Sequence, residues 1–209
     1  SSDLAVLDQI KAENDYYRST VAEAAPLTEK LFKEMKARIK ETDTSAPYKK
    51  DGYVYYTRVE AGKEYPIYCR KKGADGKEEI FLDVNALARG KKYYSAHFAA
   101  ISPNQEMLAY AVDDVGRRFY AIHFKNLKTG ETLKEVVPDT TGDWVWANDG
   151  KTGFFSKQHP ETLRSEKIFR YALGDKAPTE IYFEKDEIFS VGVGKTLNDK
   201  TIYIASGSF

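Results

Sequence analysis

Residues 143–157 read DWVWANDGKTGFFSK: a short alternating segment, an Asn-Asp-Gly turn, and a second segment ending in Phe154-Phe155-Ser156-Lys157. Asn and Asp side chains bond their own backbone in turns, and glycine enters the left-handed region at no steric cost, so the stretch predicts strand, tight turn, strand. Similar stretches recur. Lys50-Asp51-Gly52 precedes YVYYTR, Ser102-Pro103-Asn104-Gln105 precedes MLAYAV, and Leu197-Asn198-Asp199 precedes TIYIAS. Asp51, Asn104, Asp149 and Asp199 follow one another at intervals of 53, 45 and 50 residues. Each unit reads as a short first strand, a polar turn, a Tyr/Phe-rich strand and two further strands. Four-stranded units of about 40–50 residues mark a β-propeller. The alternative is a β-sandwich, whose turns recur about every 8–12 residues. The 160 residues from position 50 to 209 hold about three and a half blades, and closed propellers have about four to eight. The expectation is a partial propeller.

Before position 48 the period differs. Leu7, Ile10, Tyr17 and Val21 fall on one helical face, and Leu27, Leu31, Met35 and Ile39 continue such a stripe beyond Pro26. Ser1, Ser2 and Asp3 are N-cap candidates, and Pro26 either breaks the helix or opens a second one at its first turn. Two amphipathic helices are predicted, then a polar loop, Glu41–Pro47, where the period changes to two. Residues 1–47 read as a helical extension and 48–209 as the propeller portion. Strands are expected at Tyr53–Val59, Glu64–Arg70, Glu79–Asp83, His97–Ile101, Met107–Val112, Phe119–Asn126 and Leu133–Val137. Further strands are expected at Trp144–Ala147, Gly153–Lys157, Lys167–Ala172, Thr179–Phe183, Ile188–Val193 and Thr201–Ala205, with essentially no helix after residue 50. Pro66 belongs near a strand start or an edge, having no N–H for a ladder.

Composition narrows the function classes. Lys+Arg and Asp+Glu are both 32, so a basic footprint for nucleic acid is absent. A hydrophobic fraction of 42%, with 15 Tyr and 11 Phe, suits a folded, strand-rich chain. No run of about 18 apolar residues is present, so no membrane span is expected, and SSDLAVLDQI shows neither a basic n-region nor an apolar h-region, so no signal peptide is expected. Cys69 is the single cysteine, which is compatible with a reducing, cytoplasmic setting.

Several stretches resemble oligopeptidase B of the prolyl oligopeptidase family of serine peptidases. The most specific are LFKEMKARIKETDTSAPYKKDGYVYYTR (31–58) and AGKEYPIYCRKKG (61–73). FLDVNALARG (81–90), ISPNQEMLAYAVD (101–113), VWANDGKTGFFSKQHPETLRSEKIFRYALG (145–174) and FSVGVGKT (189–196) follow in the family's order. The resemblance implies a parent with a seven-bladed propeller over an α/β-hydrolase domain, against which the N-terminal helices pack. It also implies cleavage of short peptides after Lys or Arg by a Ser–Asp–His triad in the C-terminal domain. The Gly-x-Ser-x-Gly elbow of such a domain does not occur in residues 1–209. The resemblance therefore implies about three to four blades of the parent and an inactive piece.

Within this chain no catalytic, cofactor-binding or metal-binding residue is expected. His97 and His123 sit in strand patterns and His159 in a turn-like Gln-His-Pro, so all three read as packed or surface residues. No His pair shares a helical face, and Cys69 has no partner for a metal set. Asp113-Asp114 and Glu78-Glu79 would point to opposite strand faces and read as solvated charges. Cys69 reads as a small buried hydrophobe, and Trp144 and Trp146 as packing between blades more than as a binding platform. Gly194-Lys195-Thr196 fails as a phosphate loop, because Phe189 stands where the first glycine belongs. The partners expected are short peptides and the C-terminal hydrolase domain, with self-association through open blade edges and neither nucleic acid nor membrane. The alternative is a free-standing, non-enzymatic β module for protein interaction.

Overall fold

The computed structural model describes residues 3–208. The chain divides after Thr42 into two compact units. In the first, helix α1 spans Leu4–Val21 and α2 spans Ala25–Ala37, joined by a 3-10 turn over Ala22–Ala24. Asp3 caps α1, its Oδ1 accepting the Ala5 N–H at 2.9 Å, and the Ser1 and Ser2 candidates lie outside the described residues. Pro26 stands in the first turn of α2, where its missing N–H costs nothing. Neither helix buries a residue, and Leu7, Ile10, Leu31 and Met35 are all exposed.

The second unit is mainly β. Its strands are β1 (Asp43–Thr44), β2 (Tyr48–Lys50), β3 (Tyr53–Val59), β4 (Ile67–Lys72) and β5 (Glu78–Asp83). There follow β6 (Ser95–Ile101), β7 (Met107–Asp113), β8 (Tyr120–Asn126) and β9 (Thr132–Thr140). Then come β10 (Val145–Trp146), β11 (Thr152–Gln158), β12 (Ser165–Ala172), β13 (Thr179–Phe183), β14 (Phe189–Lys195) and β15 (Ile202–Ser208). Among the described residues they make four antiparallel sheets in chain order: β1/β2-β3-β4-β5, β6-β7-β8-β9, β10-β11-β12-β13, and the pair β14-β15. This is the meander of successive propeller blades, the partial propeller expected from the repeat.

Three local features differ from the expectations. The polar stretch 41–47 contains β1, and β1 and β2 both pair with β3, so they form one first strand broken at Pro47. Asp43 and Thr44 pair with Val59 and Arg58. β4 starts at Ile67, just past Pro66, which cannot donate to the ladder. A one-turn helix, α3 (Val84–Leu87), follows β5; Asp83 Oδ1 accepts the Asn85 and Ala86 N–H groups at 3.0 and 3.4 Å.

The sheets are held together by alternation along β7. Leu108, Tyr110 and Val112 join a buried cluster with Tyr55, Phe81 and Val84 of the first sheet region. Ala109 and Ala111 face the other way, into a cluster with Phe124, Trp144, Trp146 and Phe155. Successive side chains on a strand point to opposite faces, so one strand serves both seams. On the second face the alanines leave room for the two indoles, whose rings lie 5.3 Å apart edge to face. Trp144 stacks on Phe155 at 5.6 Å and 9°, and Trp146 donates its Nε1–H to the Ala100 carbonyl at 3.3 Å. Both tryptophans are buried packing residues.

Each first turn of a sheet bends through the left-handed region: Asp51 at φ +48°, Gln105 at +64°, Gly150 at +66° and Asp199 at +56°. In the third sheet Asp149 Oδ1 accepts the Lys151 and Thr152 N–H groups at 2.9 and 2.8 Å, and Oδ2 accepts the Thr152 hydroxyl. Those bonds hold the Asp149 carboxyl below the usual range. Asp113 is buried and not the solvated charge expected. Burial pushes its carboxyl up, but N–H bonds from Val115, Gly116 and Arg118 at 2.8–3.0 Å outweigh this and leave it lowered. Asp114 is exposed and pairs with Lys91 at 3.3 Å.

Two outcomes follow for stability. A Cβ at Gly153 would stand 1.9 Å from Trp144 Cζ2, whereas one at Gly192 would meet nothing within 4 Å. Gly153→Ala is expected to destabilise by about 1–3 kcal/mol, the cost of overpacking, and Gly192→Ala far less, as read by denaturant unfolding. The Asp113 pKa is lowered in the folded state, so its contribution is present at neutral pH and is lost as pH falls through the carboxylate range. Asp113→Asn should lower stability at neutral pH and reduce the further loss on acidification, measured by unfolding across pH 7 to 3.

Candidate functional site

The first strands of all four sheets run beside one hollow. Tyr48–Asp51, Ala100–Ile101, Trp144–Trp146 and Lys195–Thr196 line a cavity of about 530 Å³. A second, smaller hollow of about 340 Å³ lies along the start of β6 and residues 141–145. In a propeller the first strand of each blade faces the axis, so these hollows form the wall of an axial channel. The mouth bounded by the first turns carries charge of both signs, with Lys49, Lys50 and Lys195 against Asp51 and Asp199.

Lys195 is the most engaged of these groups. Its Nζ donates to the Trp146 carbonyl at 3.1 Å and to Asn148 Oδ1 at 2.6 Å, and lies 3.7 Å from Asp199 Oδ1. Across the seam between the first and second sheets, Gln105 Nε2 donates to Asp51 at 3.3 Å, and Gln105 also bonds the Tyr55 hydroxyl. Arg70, buried over the Tyr53 ring, pairs with both Glu79 oxygens at 2.8 and 2.9 Å and reaches the Gln105 carbonyl at 3.3 Å. Glu78 points the other way, toward Tyr56 and Arg58, so this adjacent pair does divide between the two faces. Both are ion-paired and not free solvated charges.

The histidines serve packing and turns. His97 Nε2 lies 3.1 Å from the Gly142 carbonyl, and its ring meets Tyr120 edge to face at 5.1 Å. His123 stacks on Tyr110 at 5.3 Å, and burial lowers its pKa. His159 Nδ1 accepts the Glu161 and Thr162 N–H groups at 3.2 and 3.3 Å, bracing the turn after β11. These contacts set no histidine beside a serine or cysteine as base to nucleophile. Cys69 is fully buried in β4, and burial pushes its thiol pKa up, away from the reactive thiolate. Among the described residues no group of three or more His, Cys, Asp or Glu could hold a metal ion. No helix among them is long and apolar enough to cross a membrane. Gly192 and Gly194 lie within β14, so the GKT stretch is strand and turn.

Sequence reasoning missed the roles of Lys195, Asn148, Tyr48 and Lys50. The first two lie 47 residues apart, and the only signal was that both flank first turns of the repeat. The last two lie on β2, too short and polar to show a period.

Residues 5–209 match the family model described as prolyl oligopeptidase, N-terminal beta-propeller domain. The chain is 39% identical to dipeptidyl aminopeptidase BI of Pseudoxanthomonas mexicana over 96% of its own length, and 30% identical to protease 2 of Moraxella lacunata over 97%. It spans 30% and 31%, about a third, of those curated relatives. Among solved structures it is similar to oligopeptidase B from Leishmania major, with TM-score 0.87 and 32% identity over 99% of this chain and 30% of that one. The match runs through all four sheets and the helices before them, and so the chain belongs to the prolyl oligopeptidase family, as an oligopeptidase B-like N-terminal propeller portion.

Proposed function

We propose that this chain is the substrate-sorting cap of a cytoplasmic serine oligopeptidase that hydrolyses short peptides after Lys or Arg. On its own it is inactive. The observation that carries the reading is the family match over residues 5–209, on sheets whose first strands share one channel wall. Residues 1–47, of which Asp43 and Thr44 add a short strand to the first sheet, then include the helical extension that packs on the hydrolase domain, and 48–209 are the portion of the propeller that covers it. Acyl transfer needs nucleophile, base and oxyanion donors in one place, and the histidines here are spent on packing and turns. A cap contributes by excluding water and folded proteins from the nucleophile, so that only short, flexible chains are cut.

A second reading, a non-enzymatic module that binds through its edges, draws on two observations. Among the described residues, those of β15 apart from Ile202 are exposed, on a sheet of two strands, and the helices bury no residue of their apolar stripe. Unpaired strand edges recruit other strands, so the isolated chain should self-associate at high concentration, as sedimentation velocity would show.

The discriminating measurement is turnover. The full-length protein is expected to hydrolyse short Arg- or Lys-ended reporters, and the purified chain of residues 1–209 to hydrolyse none. Activity in the isolated chain, with contaminating peptidase excluded, would sink the cap reading. Reporters with free and blocked N-termini belong in the same assay. A requirement for the free amine would place the specificity nearer the dipeptidyl aminopeptidase.

A further inference from the structure

We propose that Lys195, with Asn148 and Asp199, is a clasp that sets the width of the channel mouth between the third and fourth sheets, and so the length of peptide admitted. This rests on the cap reading above. Lys195 ends β14 with its side chain only 15% exposed, and its ammonium bridges to the Trp146 carbonyl and Asn148 Oδ1 of the neighbouring sheet. Asn148 Nδ2 returns a bond to the Asp199 carbonyl at 2.8 Å. The first turns of two successive sheets are thus stitched reciprocally, at the rim of the 530 Å³ cavity.

This seam differs from the others in what holds it. Both buried apolar clusters are built from residues that precede β14. Within β14 only Val191 is a buried apolar residue, and the hydrogen bonds from β14 to the third sheet fall toward its two ends. At its start, Arg164 Nη1 donates to the Phe189 carbonyl at 2.8 Å and the Ser165 hydroxyl to the Val191 carbonyl at 2.6 Å. At its end stands the clasp. A strand pinned at its start and clasped at its end pivots when the clasp is released, and the released end is the one at the channel rim. The Lys195 bonds are charge-assisted and about twice as strong as neutral ones. Asn148 is exposed and the Asp199 side chain is 44% exposed, so water can replace the bonds that these two lose on release. Lys195 acts here as a positioning residue.

The test uses the full-length enzyme with a short and a long reporter peptide sharing one scissile residue. Wild type is expected to favour the short peptide strongly. Lys195→Met keeps the apolar stem and removes the charge, and Asn148→Ala removes the acceptor and its returning donor. In each, the ratio of kcat/KM for the long peptide over the short one should rise about fivefold, a population change of the size that losing one such bond produces. Lys195→Arg should restore most of the discrimination, which a merely structural loss of stability would not predict. Amide exchange at Val193–Lys195 should quicken in Lys195→Met and in Asn148→Ala. If either folded variant keeps the wild-type ratio and the wild-type exchange, the clasp is overturned and the cap reading stands. If wild type itself cuts both lengths equally well, the cap reading falls, and the clasp's role in selection falls with it. Should Lys195→Met not fold, Asn148→Ala, at an exposed turn, decides the matter alone.

Discussion

The second unit depends on the wedge of aromatic rings between the second and third sheets. Phe124 meets Trp144 at 5.0 Å and Trp146 at 5.9 Å, each edge to face, and Trp144 lies flat on Phe155. Ring pairs in these geometries add about 0.5–1.5 kcal/mol beyond the area they bury. The wedge fits only because small residues stand opposite it: Ala109 and Ala111 on β7, and Gly153, whose missing Cβ leaves the space that Trp144 fills. Because β7 turns its other face to Tyr55 and Phe81, displacing the wedge would be felt at the first seam as well.

The functional geometry follows from that packing. Apolar wedges fix how far apart the first three sheets sit, and this brings their first strands to one channel wall. The turns that end those strands are then close enough to bond each other. Gln105 reaches Asp51 across the first seam, and Asn148 and Lys195 meet across the third. A channel built this way has a rim of hydrogen bonds around a mouth lined by charges of both signs, the feature on which the proposed cap role draws. The chemistry of hydrolysis, in the proposed enzyme, belongs to a domain beyond the third of the relatives' length that this chain spans.

Much of the fold was legible before any coordinates. Thr179–Phe183 falls where alternation and turn chemistry place it, and Tyr53–Val59 does too. The first strand of the first sheet was not legible, because Pro47 splits it into β1 and β2, pieces too short and polar to show a period. Asp113 was misjudged because adjacent carboxylates look like solvated turn charges. Only the fold wraps three N–H groups around one of them and leaves Asp114 to Lys91.

By itself the sequence determined the strand-rich class and the recurrence of the first turns, since period-two alternation and Asx turns are local properties of the chain, and its resemblance to known stretches pointed to the family. It also determined that the tryptophans share a face, because residues two apart on an extended chain do. The tertiary structure decided which faces meet. Trp144 needs Gly153 beneath it, Arg70 finds Gln105 35 residues away, and Lys195 finds Asn148 47 residues away. Such partners are chosen by the spacing and twist of whole sheets, which no local pattern encodes.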